Sequence, residues 1–327
     1  MNITWRGGQF VNFSFEMDDH ILRNRLFRAI GSIDVVENLA LSSLTTFRIG
    51  GPADFVVAPE NVKELTKALD VLKDMDIPYI VIGRGSNILA ADEGFRGAVI
   101  RLSTNYFQHT KVQDNIITAE AGVTLTSLAR TALSHGLTGL EFASGIPGSL
   151  GGGIYMNAGA YGGELKDVIQ EVTIVDYEGK IRHLDKSEMG FGHRSSILQH
   201  KSWICVSAAL QLSYGDKDQI EGRMKELSEQ RKAKQPLELP SAGSVFKRPE
   251  GYFAGALIEQ AGLKGYTIGG AQVSEKHAGF IVNRGGATCK DVVMLIRHIQ
   301  KTVKEKFGVQ LETEIRYLTP DGLDRIG

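Results

Sequence analysis

GIPGSLGGGIYMNAGAYGG, from Gly145 to Gly163, decides how this chain is read. Eight of its nineteen residues are glycine. Glycine weakens helices and strands and costs backbone entropy on folding. Such a cluster in mid-sequence points to bare backbone that must approach something closely. Pro147 fixes one backbone angle while the glycines around it free theirs. Gly151, Gly152 and Gly153 let another molecule lie against main chain, and Asn157 and Tyr161 supply polar and aromatic contacts. Taken alone, the stretch also fits a tight backbone crossing in a sheet.

A second glycine turn changes the balance. GRGSN (83–87) follows the apolar strand YIVIG (79–83). Gly83 and Gly85 flank Arg84 and let the backbone present its N–H groups, while Ser86 and Asn87 add side-chain donors. Such a nest suits a phosphate or pyrophosphate. No GK[ST] follows, so it is not a Walker loop, and it lacks the full GxGxxG of a dinucleotide turn. A third turn, TTFRIGGPAD (45–54), puts Arg48 before two glycines, as a surface residue or as a reach toward a diphosphate. Two glycine-rich loops in one domain favour a large phosphate-bearing cofactor over two unrelated turns.

The rest of the chain sets bounds. Its 327 residues suggest two domains, possibly three. A net charge of −1 calls for neither nucleic acid nor an anionic membrane. No apolar run approaches the roughly 18 residues of a membrane span. MNITWRGGQFVNFSFEMDDH lacks the basic and apolar regions of a secretory signal. Cys205 and Cys289 stand far apart and outside any CxxC, as expected of buried thiols in a reducing cytoplasm. The eight histidines form no HExxH-like set, so no metal is expected.

Periodicity gives a mixed α+β order rather than a regular βαβ series. Residues 20–31 space Ile21, Leu22, Leu26 and Ile30 as a short amphipathic helix. Asn61 caps a helix over 61–76, Gly136 ends one over 124–136, and EVTIVDYEGKIRHLD reads as a hairpin turning at Glu178–Gly179. Residues 217–237 are charged, helix-prone and stopped by Pro236. Beyond them, helices are predicted near 253–262 and 289–306 and strands near 279–283 and 311–318. In LETEIRYL (311–318), period two puts Leu311, Thr313, Ile315 and Tyr317 on one face and Glu312, Glu314 and Arg316 on the other.

Arg194 in FGHRSS, and Ser244 and Lys247 in SAGSVFKRP, each read singly as surface or turn residues, and no GxSxG is present. Together with TTFRIGGPAD, GRGSN, the glycine stretch, AGLKGYTIGGAQVSEKHAGFIVN and LETEIRYL, they occur in a recognisable order. From about Asn38 to Pro320 the chain resembles the UDP-N-acetylenolpyruvoylglucosamine reductases, most closely their shorter, type II branch. The resemblance implies an FAD-binding fold of the PCMH, or vanillyl-alcohol-oxidase-like, type over 38–215, with two subdomains split near 78. It implies a substrate-binding α+β domain over 216–327, and leaves 1–37 as an extension with a short helix. It implies non-covalent FAD, NADPH as reductant, a UDP-linked amino sugar as substrate and a cytoplasmic step of peptidoglycan synthesis.

By the same resemblance Arg194, Ser244 and Glu314 are catalytic. Hydride from flavin N5 reaches C3 of the enolpyruvyl group, and Ser244 protonates C2. Arg48, Gly83, Arg84, Gly85, Ser86, Asn87, Gly145, Ile146, Pro147, Gly148, Ser149, Gly151, Gly152, Asn157, Gly159 and Tyr161 are expected at FAD. Arg231 and Lys247 are expected at the substrate's phosphates, with Tyr252 and His277 lining the site. Two positions depart from the family pattern: His193 stands where tyrosine is usual, and Arg248 where asparagine is frequent. A flavin oxidase of the same fold, and a flavin- or nucleotide-sugar-binding protein without catalysis, stay open as alternatives. The oligomeric state stays open too.

Overall fold

The computed structural model describes residues 3–6, 9–12, 19–31, 33–102, 106–324 and 326. Three regions follow one another along the chain, and their buried apolar clusters cross the borders: Val175, Ile204 and Val206 join that of the first region, and Phe47, Ile49 and Leu89 that of the third.

The first region is a four-stranded sheet in the order Asp34–Ala40, Pro52–Ala58, Phe95–Arg101, Tyr79–Ile82. The first pair is antiparallel and the others parallel. Helix Val62–Asp74 covers this sheet with Leu65, Ala68, Leu69 and Leu72, the stripe its spacing requires. It begins where expected, because the Asn61 side chain accepts the Glu64 N–H at 3.0 Å. Helix Asp19–Ile30 lies beside it and buries Leu26 and Ile30. The side chains of Ile21 and Leu22 lie outside the described residues. The sheet takes in residues 34–37, ahead of Asn38.

The second region is a five-stranded antiparallel sheet. Its order is Ile181–Asp185, Ile169–Val175, Ile204–Gln211, Ile116–Glu120, Thr110–Gln113. The expected hairpin is present and turns through Gly179 at φ 78°. Buried Asp176 fixes that turn by accepting the N–H groups of Glu178 and Lys180 at 2.9 and 3.0 Å. Helix Leu125–Ser134 packs Leu125, Leu128, Ala129 and Ala132 into the same core.

The glycine-rich stretch departs from the loop its composition suggests. Leu150–Met156 is a short α-helix. Two of its three glycines serve packing. A Cβ on Gly151 would come within 2.9 Å of the Ala121 Cβ, and one on Gly153 within 2.8 Å of Leu165 Cδ1. Tertiary packing overrides the poor helix propensity of LGGGIYM.

Helix Lys217–Lys234 links to the third region. There, helices Ala254–Gln260 and Cys289–Phe307 pack with a three-stranded sheet of Thr267–Ile268, Ala271–Val273 and Ile281–Asn283. The chain then returns to the first region: Arg316–Thr319 pairs in parallel with Ile88–Ala90. Asp92 adds a second tie, accepting the Cys289 and Lys290 N–H groups at 2.8 and 3.0 Å. Both cysteines are free and buried, and burial pushes each thiol up to about 12. Among the described residues, no helix is long and apolar enough to cross a membrane.

Candidate active site

All three regions line one cavity of about 2270 Å³. A drug-sized ligand needs roughly 300–1,000 Å³, so a dinucleotide and a second ligand fit together.

One wall is the pair of glycine loops. Gly85 has φ 61°, and a Cβ there would come within 2.2 Å of the Leu44 carbonyl oxygen, so only glycine fits. The two loops touch: a Cβ on Gly83 would come within 2.3 Å of Ser149 Oγ. Gly152, the middle glycine of the short helix, is exposed and lines the cavity, and a Cβ on it would meet only Ser149 Oγ, at 3.5 Å.

A second part of the lining comes from the third region, which joins the first loop where Asn87 Nδ2 donates to the Glu314 carbonyl at 3.2 Å. The segment after Ser244 runs antiparallel to Glu312–Glu314, with Lys247 N donating to Glu312 O at 2.9 Å and Glu314 N to Val245 O at 2.7 Å. On its other side Ser244 bridges Phe280, and Val245 N donates to Gly279 O at 2.9 Å. Ser244, Glu314 and His277 thus reach one surface of the cavity. His277 Nδ1 accepts the Gly279 N–H at 3.0 Å, which leaves the proton of the neutral ring on Nε2. Burial lowers its pKa and favours that neutral form.

Arg194 arrives from the second region. Its Nε lies 2.7 Å from Glu314 Oε1. The N–H does not point along that line, so this is an ion-pair contact and not an aligned hydrogen bond. Glu314 is 18% exposed. Burial raises its pKa above the usual carboxylate value, against the opposing pull of Arg194, His193 and Lys247. The result is a cation beside a carboxyl group whose burial disfavours its charged form.

A model of the UDP-N-acetylenolpyruvoylglucosamine reductase C-terminal domain matches residues 235–318, and one of an FAD binding domain matches 53–185. The chain is 53% identical to the UDP-N-acetylenolpyruvoylglucosamine reductase of Caldanaerobacter subterraneus subsp. tengcongensis, over 83% of this chain and 89% of that protein. With the enzyme of the same name from Clostridium perfringens strain SM101 the identity is 46%, over 88% and 94%. It belongs to the UDP-N-acetylenolpyruvoylglucosamine reductase family. The crystal structure of the family member from Thermus caldophilus superposes with a TM-score of 0.73 at 36% identity, covering 87% of this chain and 98% of that one. The expected architecture holds: an FAD-binding domain, then the family's C-terminal domain.

The cavity fits FAD on its own terms. Beyond the bare backbone of the loops, Arg231 presents a guanidinium whose Nε is buried without a hydrogen-bond partner. Burial lowers its pKa, as for a cation that lacks a counter-charge. An anionic or carbonyl-bearing ligand supplies what is missing. Gln235 Oε1, also buried and unpartnered, lines the same cavity.

Of the residues expected at FAD, Gly83, Arg84, Gly85, Ser86, Asn87, Ile146, Pro147, Gly148, Ser149, Gly151, Gly152, Gly159 and Tyr161 line the cavity. Three do not. Arg48 is exposed at a left-handed turn, φ 56°, outside the wall. Gly145 lies behind Arg231, whose Cδ would sit 3.0 Å from a Cβ there. Asn157 is fully buried and left-handed, φ 43°. Its amide is consumed by Glu164, the Gly192 carbonyl and the Lys166 N–H. Asn157 therefore holds the fold around the site.

Arg231 and His277 line the cavity, but Lys247 and Tyr252 stand outside it. Lys247 pairs with Glu312 at 2.9 Å, and Tyr252 is 48% exposed. Arg231 packs over Gly145 of the glycine stretch. Lys234, Trp203 and Arg316 also line the cavity, although no motif marks them. Arg316 is legible from period two, on the face it shares with Glu314. Lys234, one helical turn after Arg231, is also within reach of the pattern. Trp203 carries no sequence signal.

Proposed function

We propose that this chain reduces UDP-N-acetylenolpyruvoylglucosamine to UDP-N-acetylmuramate, a cytoplasmic step of peptidoglycan synthesis, with FAD held non-covalently and NADPH as reductant. The observation that supports the reading is that Arg194, Ser244 and Glu314 line the same cavity as the glycine loops, with Arg194 Nε 2.7 Å from Glu314 Oε1. FAD, when bound, supplies the hydride that reaches C3 of the enolpyruvyl group. Negative charge then develops at C2 and in the carboxylate. Arg194 is fixed in advance to meet it, and in many enzymes preorganised charge of this kind lowers the barrier more than any other single effect. Glu314, disposed by burial to keep its proton, donates a hydrogen bond to the same developing charge. Ser244 gives the proton to C2. A serine is a poor acid in water, but a carbanionic centre held beside it is a strong base. His277, neutral, adds no competing positive charge.

Arg231, packed on Gly145, serves the flavin side. The test uses the full chain loaded with FAD, without oxygen. NADPH should bleach the flavin, and mixing with UDP-N-acetylenolpyruvoylglucosamine should restore its colour. In Ser244→Ala the bleaching should persist and the recovery slow by about 10²–10⁴-fold. Normal recovery in that variant would refute the role of Ser244. No recovery in the wild type would refute the activity.

A further inference from the structure

We propose that Gln199 is a positioning residue for this reaction, holding Arg194 at Glu314; the role rests on the activity proposed above. Arg194 sits at the tip of a tight turn in which Gly192 and Ser195 exchange backbone hydrogen bonds of 3.0 and 3.3 Å. Its φ is 53°, a left-handed conformation that a side-chain-bearing residue rarely adopts. Asn157 Nδ2 pins this turn at the Gly192 carbonyl at 2.9 Å. Gln199, on the short helical turn Ile197–Gln199, adds a restraint at Arg194 itself.

Gln199 Nε2 donates to the Arg194 carbonyl at 3.0 Å and to the Tyr155 carbonyl at 2.8 Å. Its Oε1 accepts from Arg316 Nη2. Tyr155 lies in the glycine-rich helix of the flavin wall. Arg316 lies two residues beyond Glu314 and stacks over the Tyr155 ring, 5.6 Å from its centre. One amide therefore joins the turn that carries Arg194, the wall helix and the strand that follows Glu314. Its orientation has no alternative, because two carbonyls require donors and a guanidinium requires an acceptor. Glu314 is fixed independently: its N–H donates to Val245 O at 2.7 Å, and its carbonyl accepts from Asn87 Nδ2 at 3.2 Å. With Glu314 held from one side, Gln199 determines where Arg194 meets it.

Gln199→Met keeps the length of the side chain and removes all three bonds. Gln199→Glu keeps an acceptor for Arg316 but sets a carboxylate against two carbonyls. Both leave the glycine loops and Ser244 intact. A displacement near 1 Å is worth about 10²-fold in rate. In each FAD-loaded variant, NADPH bleaching should match the wild type while colour recovery with UDP-N-acetylenolpyruvoylglucosamine slows by about 10²-fold. The loss should fall on kcat rather than KM. In Gln199→Met the alkaline limb of the pH–rate profile should move upward, because the Arg194 charge no longer holds Glu314 down. Should the methionine variant fail to fold, the glutamate variant is read by the two half-reactions alone.

Wild-type recovery in either folded variant overturns the proposal. So does equal slowing of both half-reactions with an unmoved pH limb, which marks general loosening of the structure. Failure of recovery in the wild type itself would instead remove the proposed activity, and this role with it.

Discussion

Replacing Gly152 by alanine should make the empty protein more stable and its cofactor weaker. Gly152 lies in the helix Leu150–Met156, where an added Cβ meets nothing nearer than Ser149 Oγ at 3.5 Å. Its φ is not positive, so alanine is conformationally acceptable. Glycine inside a helix is destabilising by about 0.5–1 kcal/mol relative to alanine. The apo-protein should therefore melt higher by roughly 1–3 °C. The same methyl group projects into the cavity. Forcing an extra carbon into a close-packed contact costs about 1–3 kcal/mol, which corresponds to about 5- to 150-fold weaker FAD binding. Thermal melting of apo-protein and titration with FAD, followed by flavin fluorescence, read the two effects separately. Gly151→Ala is the control, because its Cβ would crowd Ala121 at 2.9 Å and lower the melting temperature outright. Unchanged FAD affinity in Gly152→Ala, with a raised melting temperature, would refute the assignment of this helix as a wall of the FAD site.

Glu314→Gln should abolish colour recovery yet stabilise the apo-protein at neutral pH. Burial raises the folded pKa of Glu314 above 4.5, so the folded state keeps a proton that the unfolded chain has lost. Stability from this group is present below about pH 4.5 and falls as pH rises through the folded value. The melting temperature of the variant should exceed the wild type at pH 7 and converge with it in acid; the opposite slope would refute the argument. Asn157→Ala removes three buried hydrogen bonds at a left-handed residue and should lower stability by about 2–4 kcal/mol, read by urea unfolding. A loss below about 1 kcal/mol, the size of a single ordinary hydrogen bond, would show that Asn157 does not hold the turn at Gly192.

Much of the fold is legible in the sequence because the signals are local. The stripe Leu65–Leu69–Leu72 with its Asn61 cap, and the alternation of Leu311, Thr313 and Ile315, need only neighbours in sequence to be read. The glycine-rich stretch reads as loop because what makes Leu150–Met156 helical lies elsewhere. Ala121 and Leu165 press so close to Gly151 and Gly153 that only bare backbone fits. Arg48, Arg231 and Lys247 show the limit for charges. A sequence gives the sign of a cation but not whether it will meet solvent, a glycine backbone or a carboxylate such as Glu312. Gln199 is invisible for a related reason. Its role is defined by Tyr155, Arg194 and Arg316, which no spacing rule links to it.

The parallel pairing of Ile88–Ala90 with Arg316–Thr319 bears on how the molecule is made. Among the described residues Ile88–Ala90 has no other strand partner. At roughly 5–20 residues per second, a ribosome leaves that edge bare for about 10–45 s before its complement emerges. During the interval the GRGSN loop hangs from an unfinished edge, and Asn87 has no Glu314 carbonyl to hold. A nascent chain therefore lacks the partner strand of this edge, and the contact of Asn87 with Glu314, until Arg316–Thr319 is made. That late strand is the latch of the GRGSN turn.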